Sequence, residues 1–420
     1  MSRSTDKPVI EFDHLSARYA ADPLSLYREM RSRCPVAWTD AHDGFWVTST
    51  YADVFAASRD DHTFSSRNGV VIPSESGLHL LPIEVDPPEL RAYRRAMNPA
   101  FNPRAVAKLV PEFERLAAWC IDQVIESGEI DLVADLASPV PAMATLLLVG
   151  LPVADWERYA HAFHGMVAYA HGTPQYAEAV QLVIGISATL RSVIAERRSH
   201  PRDDLLSTLT QVEVEGRRLT DDEVTSILIT TLGGGIDTTT ALIANTLVYL
   251  HDNPRHRARL ARDESFMASF CEEMLRYFSP VQGFARTVTE DTDLGGCALR
   301  RGDRVFLSWA AANHDPLIFD RPEEIIPERF PNRHTSFGVG AHRCVGSTLA
   351  RSEFGVVMRE VLLRMPDYSL ADGAVRYSNI GTANGWHRLP ARFTPGRRAD
   401  APAPGAIARA SQPSDSEHLA

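Results

Sequence analysis

The sequence predicts a mainly α protein with a small strand-rich lobe. Three observations predict it. Most residues from about 100 to 280 are helical by composition and period, and an apolar run there extends from a capping box at Thr220 to Asn253-Pro254. Beyond about residue 280 the chain turns to short strands and loops. Helical spacing returns at Cys344 and ends at Met365, where Pro366 stops it.

The elements follow in order. Met1 to Leu15 is polar and charged throughout, which fits neither a signal peptide nor a membrane anchor. Val36–Trp38 and Phe45–Thr48 read as a hairpin turning at Asp43-Gly44. Thr220-Asp221-Asp222-Glu223 opens a helix of around thirty residues, spanning roughly 45 Å. Val224, Ile227, Leu228, Leu232, Ile236, Leu242, Ile243 and Leu247 leave it little polar face, so it runs through the interior. Its centre is Gly233-Gly234-Gly235-Ile236-Asp237-Thr238-Thr239. A mid-helix glycine costs about 1 kcal/mol relative to alanine, and a buried aspartate costs more unless partnered. Local rules broken in this way mark a site.

Glu273 and Arg276 fall three apart on one face of a helix that Pro280 closes. Arg301-Gly302 is expected to turn between Ala298–Arg300 and Val305–Leu307. In the last helix Ala350, Phe354, Val357, Met358 and Val361 form a core stripe. Residues 1–396 read as a single domain with no internal repeat or linker. Residues 397–420, rich in Ala, Pro, Ser and Arg, read as a disordered C-terminal tail.

The bulk properties narrow the function. A 44% hydrophobic content supplies a sizeable core, and a net charge of −11 argues against nucleic acid as partner. The five cysteines (Cys34, Cys120, Cys271, Cys297 and Cys344) are scattered, odd in number and without a CxxC pair. That excludes a disulfide framework or a cysteine zinc site and fits a reducing cytoplasm. No apolar run approaches the ~20 residues that span a bilayer, so no membrane anchor is expected.

The most informative stretch is Phe337-Gly338-Val339-Gly340-Ala341-His342-Arg343-Cys344-Val345-Gly346. It sets one cysteine in a glycine-rich loop that opens onto a helix. The helix dipole and unpaired N–H groups there favour thiolate. Gly340 and Gly346 would let the backbone approach something flat and bulky. Such a thiolate serves as a nucleophile, a redox switch or an axial ligand to iron.

The pattern Phe-x-x-Gly-x-x-x-Cys-x-Gly, filled by Phe337, Gly340, Cys344 and Gly346, resembles the heme-binding loop of the cytochrome P-450 family. The resemblance covers about Asp13 to Pro395, with every motif in family order. It implies the cytochrome P-450 fold, a triangular helical domain with a small β-rich lobe. Cys344 is then the axial ligand to the iron of heme b (iron protoporphyrin IX). Gly234-Gly235-Ile236-Asp237-Thr238-Thr239 resembles the oxygen-activating motif, with Asp237 and Thr238 as the acid–alcohol pair that delivers protons to dioxygen. A bare alternative is that Thr238 and Thr239 bond back to i−4 carbonyls. Glu273, Arg276 and Arg329, the last from Pro327-Glu328-Arg329-Phe330, match a buried structural triad. His342, Arg94 and Arg286 match positions that contact the heme propionates, whereas Leu90 stands where many bacterial relatives have a histidine.

By the same resemblance, Thr230, Gly233, Gly234, Val281, Gln282, Phe284, Thr382 and Ala383 line the substrate pocket, with Gln282 or Thr382 orienting a polar group. The loop Val71–Leu81 and the helices around Phe163–Tyr176 form a lid, and Gly233 leaves room for bulk. Arg91, Arg94, Arg95, Arg343 and Arg351 are expected to form a basic surface for an acidic electron donor. The implied function is a cytoplasmic, monomeric heme-thiolate monooxygenase acting on a lipophile such as a terpenoid or steroid. Electrons would come from NAD(P)H through a ferredoxin reductase and a ferredoxin. The rival readings are a peroxide-driven relative, a non-catalytic heme-thiolate sensor or electron carrier, and a heme-free interaction protein. Asp237-Thr238 speaks against the first two.

Overall fold

The structure, a computed structural model, describes residues 7–73 and 79–404. Its helical body is built from α1 (Glu89–Phe101), α2 (Pro103–Asp122), α3 (Pro139–Val149), α4 (Trp156–Ala168) and α5 (Pro174–Ser199), then α6 (Asp221–Asp252), α7 (Ser265–Phe278) and α8 (Ser347–Arg364). The helix α6 starts at the expected capping box: Thr220 Oγ1 accepts from Glu223 N–H, and Glu223 Oε2 accepts from Thr220 N–H at 2.7 Å. It runs unbroken for 32 residues, through all three glycines. Helices α3, α4, α5 and α8 pack against it, so its apolar faces are buried nearly all round.

By length and composition alone, α5 and α6 are both apolar enough to cross a bilayer, contrary to the expectation that no run comes close. In α6 that apolarity serves the core, since 67% of its most apolar window is buried.

The lobe is a five-stranded sheet of β1 (Val36–Thr39), β2 (Phe45–Thr48), β3 (Phe64–Ser65), β4 (Gly283–Val288) and β5 (Arg304–Ser308), ordered β1-β2-β5-β4-β3. The hairpin forms as read, with Trp38 opposite Trp46. Its turn holds His42, Asp43 and Gly44 at positive φ, and a Cβ on Gly44 would meet the Trp38 ring at 2.2 Å. The turn at Gly302 also forms, but the strands flanking it do not pair with each other. Cys297–Leu299 pairs with Thr292–Leu294, whereas β5 lies between β2 and β4. Insertion there buries Val305, Phe306 and Leu307, which a two-stranded ribbon could not do.

The segment expected as a tail begins in contact with α2. Asp122 accepts from the N–H groups of Ala399 and Ala401 at 2.8 and 2.9 Å. Residues 405–420 of that tail, 1–6 of the N-terminal segment and 74–78 of the expected lid loop lie outside the described residues.

Candidate active site

The cysteine loop is fixed before its thiol is. Thr335 N–H and hydroxyl both donate to Asn313 Oδ1, Cys344 N–H donates to the Phe337 carbonyl at 2.7 Å, and Gly346 caps α8. Cys344 keeps accessible surface, yet protein surrounds it closely enough for burial to raise its pKa. The two facts agree because the thiol faces an internal cleft. Opposing burial are a hydrogen bond from the Gly346 backbone and the cations Arg94, Arg343 and Arg351, all of which favour thiolate. Gly340 has a reason other than the one expected: at φ +75°, its Cβ would stand 2.7 Å from the Ser58 carbonyl, so it serves packing. At Gly346 a Cβ would meet Cys344 Sγ at 3.8 Å, an ordinary contact that does not itself demand glycine.

Cations surround this cleft. Arg94 is brought near Cys344 by α1, and its Nε is buried with no partner among the described residues. Arg286 on β4 is 2% exposed and donates only to its neighbour's carbonyl among the hydrogen bonds described for it. Burial lowers its pKa to about 10. His342 lies beside Ser66 at 3.2 Å and 3.9 Å from both Asp61 and Asp86. Those two acids gave no sequence signal. Leu90 is fully buried and offers nothing polar.

In the middle of α6, Asp237 is 1% exposed and fully partnered. Tyr377 hydroxyl donates to both its oxygens, at 3.1 and 3.2 Å, and His164 Nδ1 of α4 stands 3.0 Å from Oδ1. His164 Nε2 in turn meets His387 Nδ1 at 3.2 Å. Burial, and secondarily His164, lower the His387 pKa, while Asp237 raises it. The hydroxyl of Thr238 donates to the Gly234 carbonyl at 2.8 Å, so the back-bonded geometry is present and the helix does not break at the glycines. A side chain on Gly234 would meet nothing within 4 Å. An exposed residue in the middle of a buried helix marks α6 as one wall of the cleft.

Glu273, Arg276 and Arg329 come together. Glu273 binds Arg276 at 2.8 and 2.9 Å and Arg329 Nε at 3.1 Å, all buried. Asn332 Nδ2 and Ile326 N–H complete the carboxylate. This ties α7 to the meander that leads into the cysteine loop.

Comparison with known proteins agrees with this geometry. The cytochrome P450 family profile matches residues 154–365. The "Steroid C26-monooxygenase" of Mycolicibacterium smegmatis is 34% identical over 396 residues, covering 92% of this chain and 96% of the relative. The chain belongs to the cytochrome P450 family. Among solved structures, the Mycobacterium marinum cytochrome P450 CYP268A2 in complex with pseudoionone superposes with TM-score 0.85 at 30% identity, covering 93% of this chain and all of that one. CYP109E1 from Bacillus megaterium in complex with testosterone gives 0.80 at 30% identity, covering 90% of this chain and 100% of that one.

This P450 is a heme-dependent monooxygenase, an oxidoreductase, and its residues fit a heme: an accessible thiol deep in the protein, an unpartnered buried guanidinium nitrogen, and a wall without side chains at Gly234. Two expected pocket features of the P450 need correction. Gln282 is 1% exposed and saturated; its Oε1 accepts from the Tyr19 and Tyr27 hydroxyls at 2.9 and 2.8 Å, and its Nε2 donates to the Phe278 and Ser279 carbonyls. It is a strut, with no capacity left for a ligand. Gly233 does not leave room, because Phe163 of α4 fills that space at 3.2 Å from the position of a Cβ. Val281, Phe284 and Thr382 are half-buried, Ala383 is buried, and Thr230 Oγ1 is buried without a partner among the described residues. On the expected donor-docking face Arg91, Arg95 and Arg343 are exposed, but Arg351 is held bidentately by Glu272 at 2.5 and 2.8 Å.

Proposed function

We propose that this P450 inserts one atom of dioxygen into a C–H bond of a lipophilic small molecule of the steroid or terpenoid class, reducing the other atom to water. Two electrons would come from NAD(P)H through a ferredoxin reductase and a ferredoxin, and two protons from solvent. Cys344 would hold heme b, with Arg94, Arg286 and His342 as partners for its propionates, and the group would supply the binding and activation of dioxygen.

The chain's own task is proton supply at the α6 wall of the cleft. The observation that carries the reading is the hydrogen-bonded chain His387–His164–Asp237, with Tyr377 bracing the carboxylate. His387 is half-buried, so it takes protons from water and passes them through His164 to Asp237 Oδ1. The neighbouring Thr238 hydroxyl, whose proton rests on the Gly234 carbonyl, would have to turn from it to hand on the final proton. A heme protein that only carried electrons would not need this chain.

The substrate class rests on the open wall at Gly234 and on the relatives: a steroid C26-monooxygenase, and P450 structures in complex with testosterone and with pseudoionone. With Gln282 spent on structure, Thr230 Oγ1 and Thr382 are the groups available to orient a polar substituent. The exposed arginines Arg91, Arg95 and Arg343 serve ferredoxin docking. The test is a titration of the ferric protein with steroids, terpenes, fatty acids and aromatics, followed at the Soret band. Steroids or terpenes should drive a low-spin to high-spin shift and then be hydroxylated by the reconstituted system. A shift confined to fatty acids or aromatics would overturn the substrate class.

A further inference from the structure

A second cluster of chemistry lies in the strand-rich lobe, remote in sequence from Cys344. We propose that Asp13, His14 and His42 form a binding site for a divalent first-row transition metal such as Zn²⁺.

Each of the three residues offers a ligand atom, and those atoms lie within 4.8 Å of one another. His14 is 3% exposed, and its Nε2 stands 2.9 Å from the Ile72 carbonyl. A carbonyl can only accept, so the ring proton sits on Nε2 and a lone pair is left on Nδ1. That nitrogen is buried with no hydrogen-bond partner among the described residues. An unpartnered buried nitrogen costs about 1–3 kcal/mol, whereas a backbone carbonyl on the remote nitrogen is how metal-binding imidazoles are oriented.

The other two donors are held in place. His42 sits in the β1–β2 turn at φ +50°, a conformation uncommon for a residue with a Cβ, and its Nε2 meets Asp13 Oδ1 at 2.9 Å. Asp13 Oδ1 also accepts from Leu15 N–H at 2.8 Å. Two imidazoles and a carboxylate suit Zn²⁺ in tetrahedral geometry, with water as the fourth ligand. The side chains of His42 and Asp13 are 24% and 36% exposed, which leaves an approach from solvent.

The site lies where segments of the proposed substrate entrance meet. His14 is bonded to Ile72 of the expected lid loop, and its carbonyl lies 2.4 Å from where a Gly381 Cβ would stand, one residue before Thr382. His171, in the connection between α4 and α5, bears on the same ring. Bound metal would pin the N-terminal segment to the hairpin turn and stiffen the entrance. This consequence rests on the pocket reading; metal binding itself does not.

The test is calorimetric titration of the chelator-treated, heme-loaded protein with ZnCl₂, independent of turnover. Wild type should bind one equivalent, and Asp13→Asn and His42→Asn should each weaken it about tenfold or more. Asparagine tolerates the positive φ at position 42, so that variant should fold. Absence of saturable binding, or binding unchanged in both variants, overturns the site. In stopped-flow mixing with a spin-shifting ligand, Zn²⁺ should slow the Soret change in wild type and not in His42→Asn. Stoichiometric binding with an unchanged rate would overturn the coupling to the entrance alone.

Discussion

Tyr377 donates its hydroxyl hydrogen across to both carboxylate oxygens of Asp237, joining the C-terminal part of the chain to the middle of the longest buried helix. The two residues are 140 positions apart. The acid that would supply protons is thereby held by a group that does not itself titrate near neutrality, since burial raises the Tyr377 pKa well above its ordinary value and Asp237 raises it further. In the proposed relay Tyr377 would position Asp237, while His164 and His387 would carry the proton.

Breaking that chain should uncouple the enzyme without emptying it of heme. Thr238→Ala should keep consuming NADH while product falls and hydrogen peroxide rises. Asp237→Asn should slow turnover and enlarge the solvent isotope effect, and His164→Phe should do the same more mildly. Tyr377→Phe should give an intermediate loss with the isotope effect near wild type. Product, NADH and peroxide measured together decide it; tight coupling in Thr238→Ala would remove the proton-delivery role.

The buried triad should behave as structure. Glu273→Gln leaves Arg276 and Arg329 without their counter-charge in a site that excludes water. The expected cost is about 3–5 kcal/mol. Urea unfolding and heme content per protein measure it. A variant with wild-type stability and heme occupancy would contradict the assignment.

Acid sensitivity should trace in part to two buried histidines. Burial lowers His14 to about 4 and His314 to about 3, below the ordinary 6.5. As pH falls below 6.5 the unfolded chain binds these protons first, so their contribution to stability is whole above 6.5 and erodes towards the folded values. Glu353 acts in the opposite sense, because burial raises its pKa. A difference measurement isolates one histidine: His14→Phe should make the stability loss from pH 7 to pH 5 shallower by roughly 2 kcal/mol. Parallel curves for the two proteins would contradict it.

Gly233 and Gly234 should respond differently to the same substitution. Valine at 234 projects into open space and should weaken bulky ligands, read from spin-shift titrations. Valine at 233 meets Phe163 and should lower the melting temperature first. Gln282→Ala should strand the Tyr19 and Tyr27 hydroxyls, costing about 1–3 kcal/mol with ligand affinity unchanged. Equal ligand affinity in Gly234→Val and wild type would discard the pocket wall.

On the expected docking face, Arg95→Glu should raise the ferredoxin concentration needed for half-maximal turnover at low salt, with heme content unchanged. Arg351→Glu would mix two effects, because Arg351 is bound to Glu272. Unaltered kinetics in Arg95→Glu would discard the surface.

What could be read in the sequence was whatever is local. The cysteine loop, the capping box of α6 and the Glu273–Arg276 pair are short-range patterns whose physics is complete within a few residues. Partners brought in by tertiary packing were not legible. Nothing near His164, Tyr377 or His387 in the chain announces Asp237, and His164 stood out only as part of an expected lid. The same limit misassigned Gln282 and Gly233, whose roles are set by Tyr19, Tyr27 and Phe163 from other elements. The pairing of β5 was missed because the turn at Gly302 is visible locally, while the advantage of joining a larger sheet is not.

The central claim is that the Cys344 sulfur holds the heme iron as thiolate. The most direct measurement is the absorption spectrum of the dithionite-reduced, carbon monoxide-treated protein, for wild type and Cys344→Ser. Wild type should give the red-shifted Soret band of a thiolate-ligated carbonyl, and the variant should lose it. A wild-type carbonyl band of the histidine type, or a thiolate band that survives in Cys344→Ser, would contradict the account.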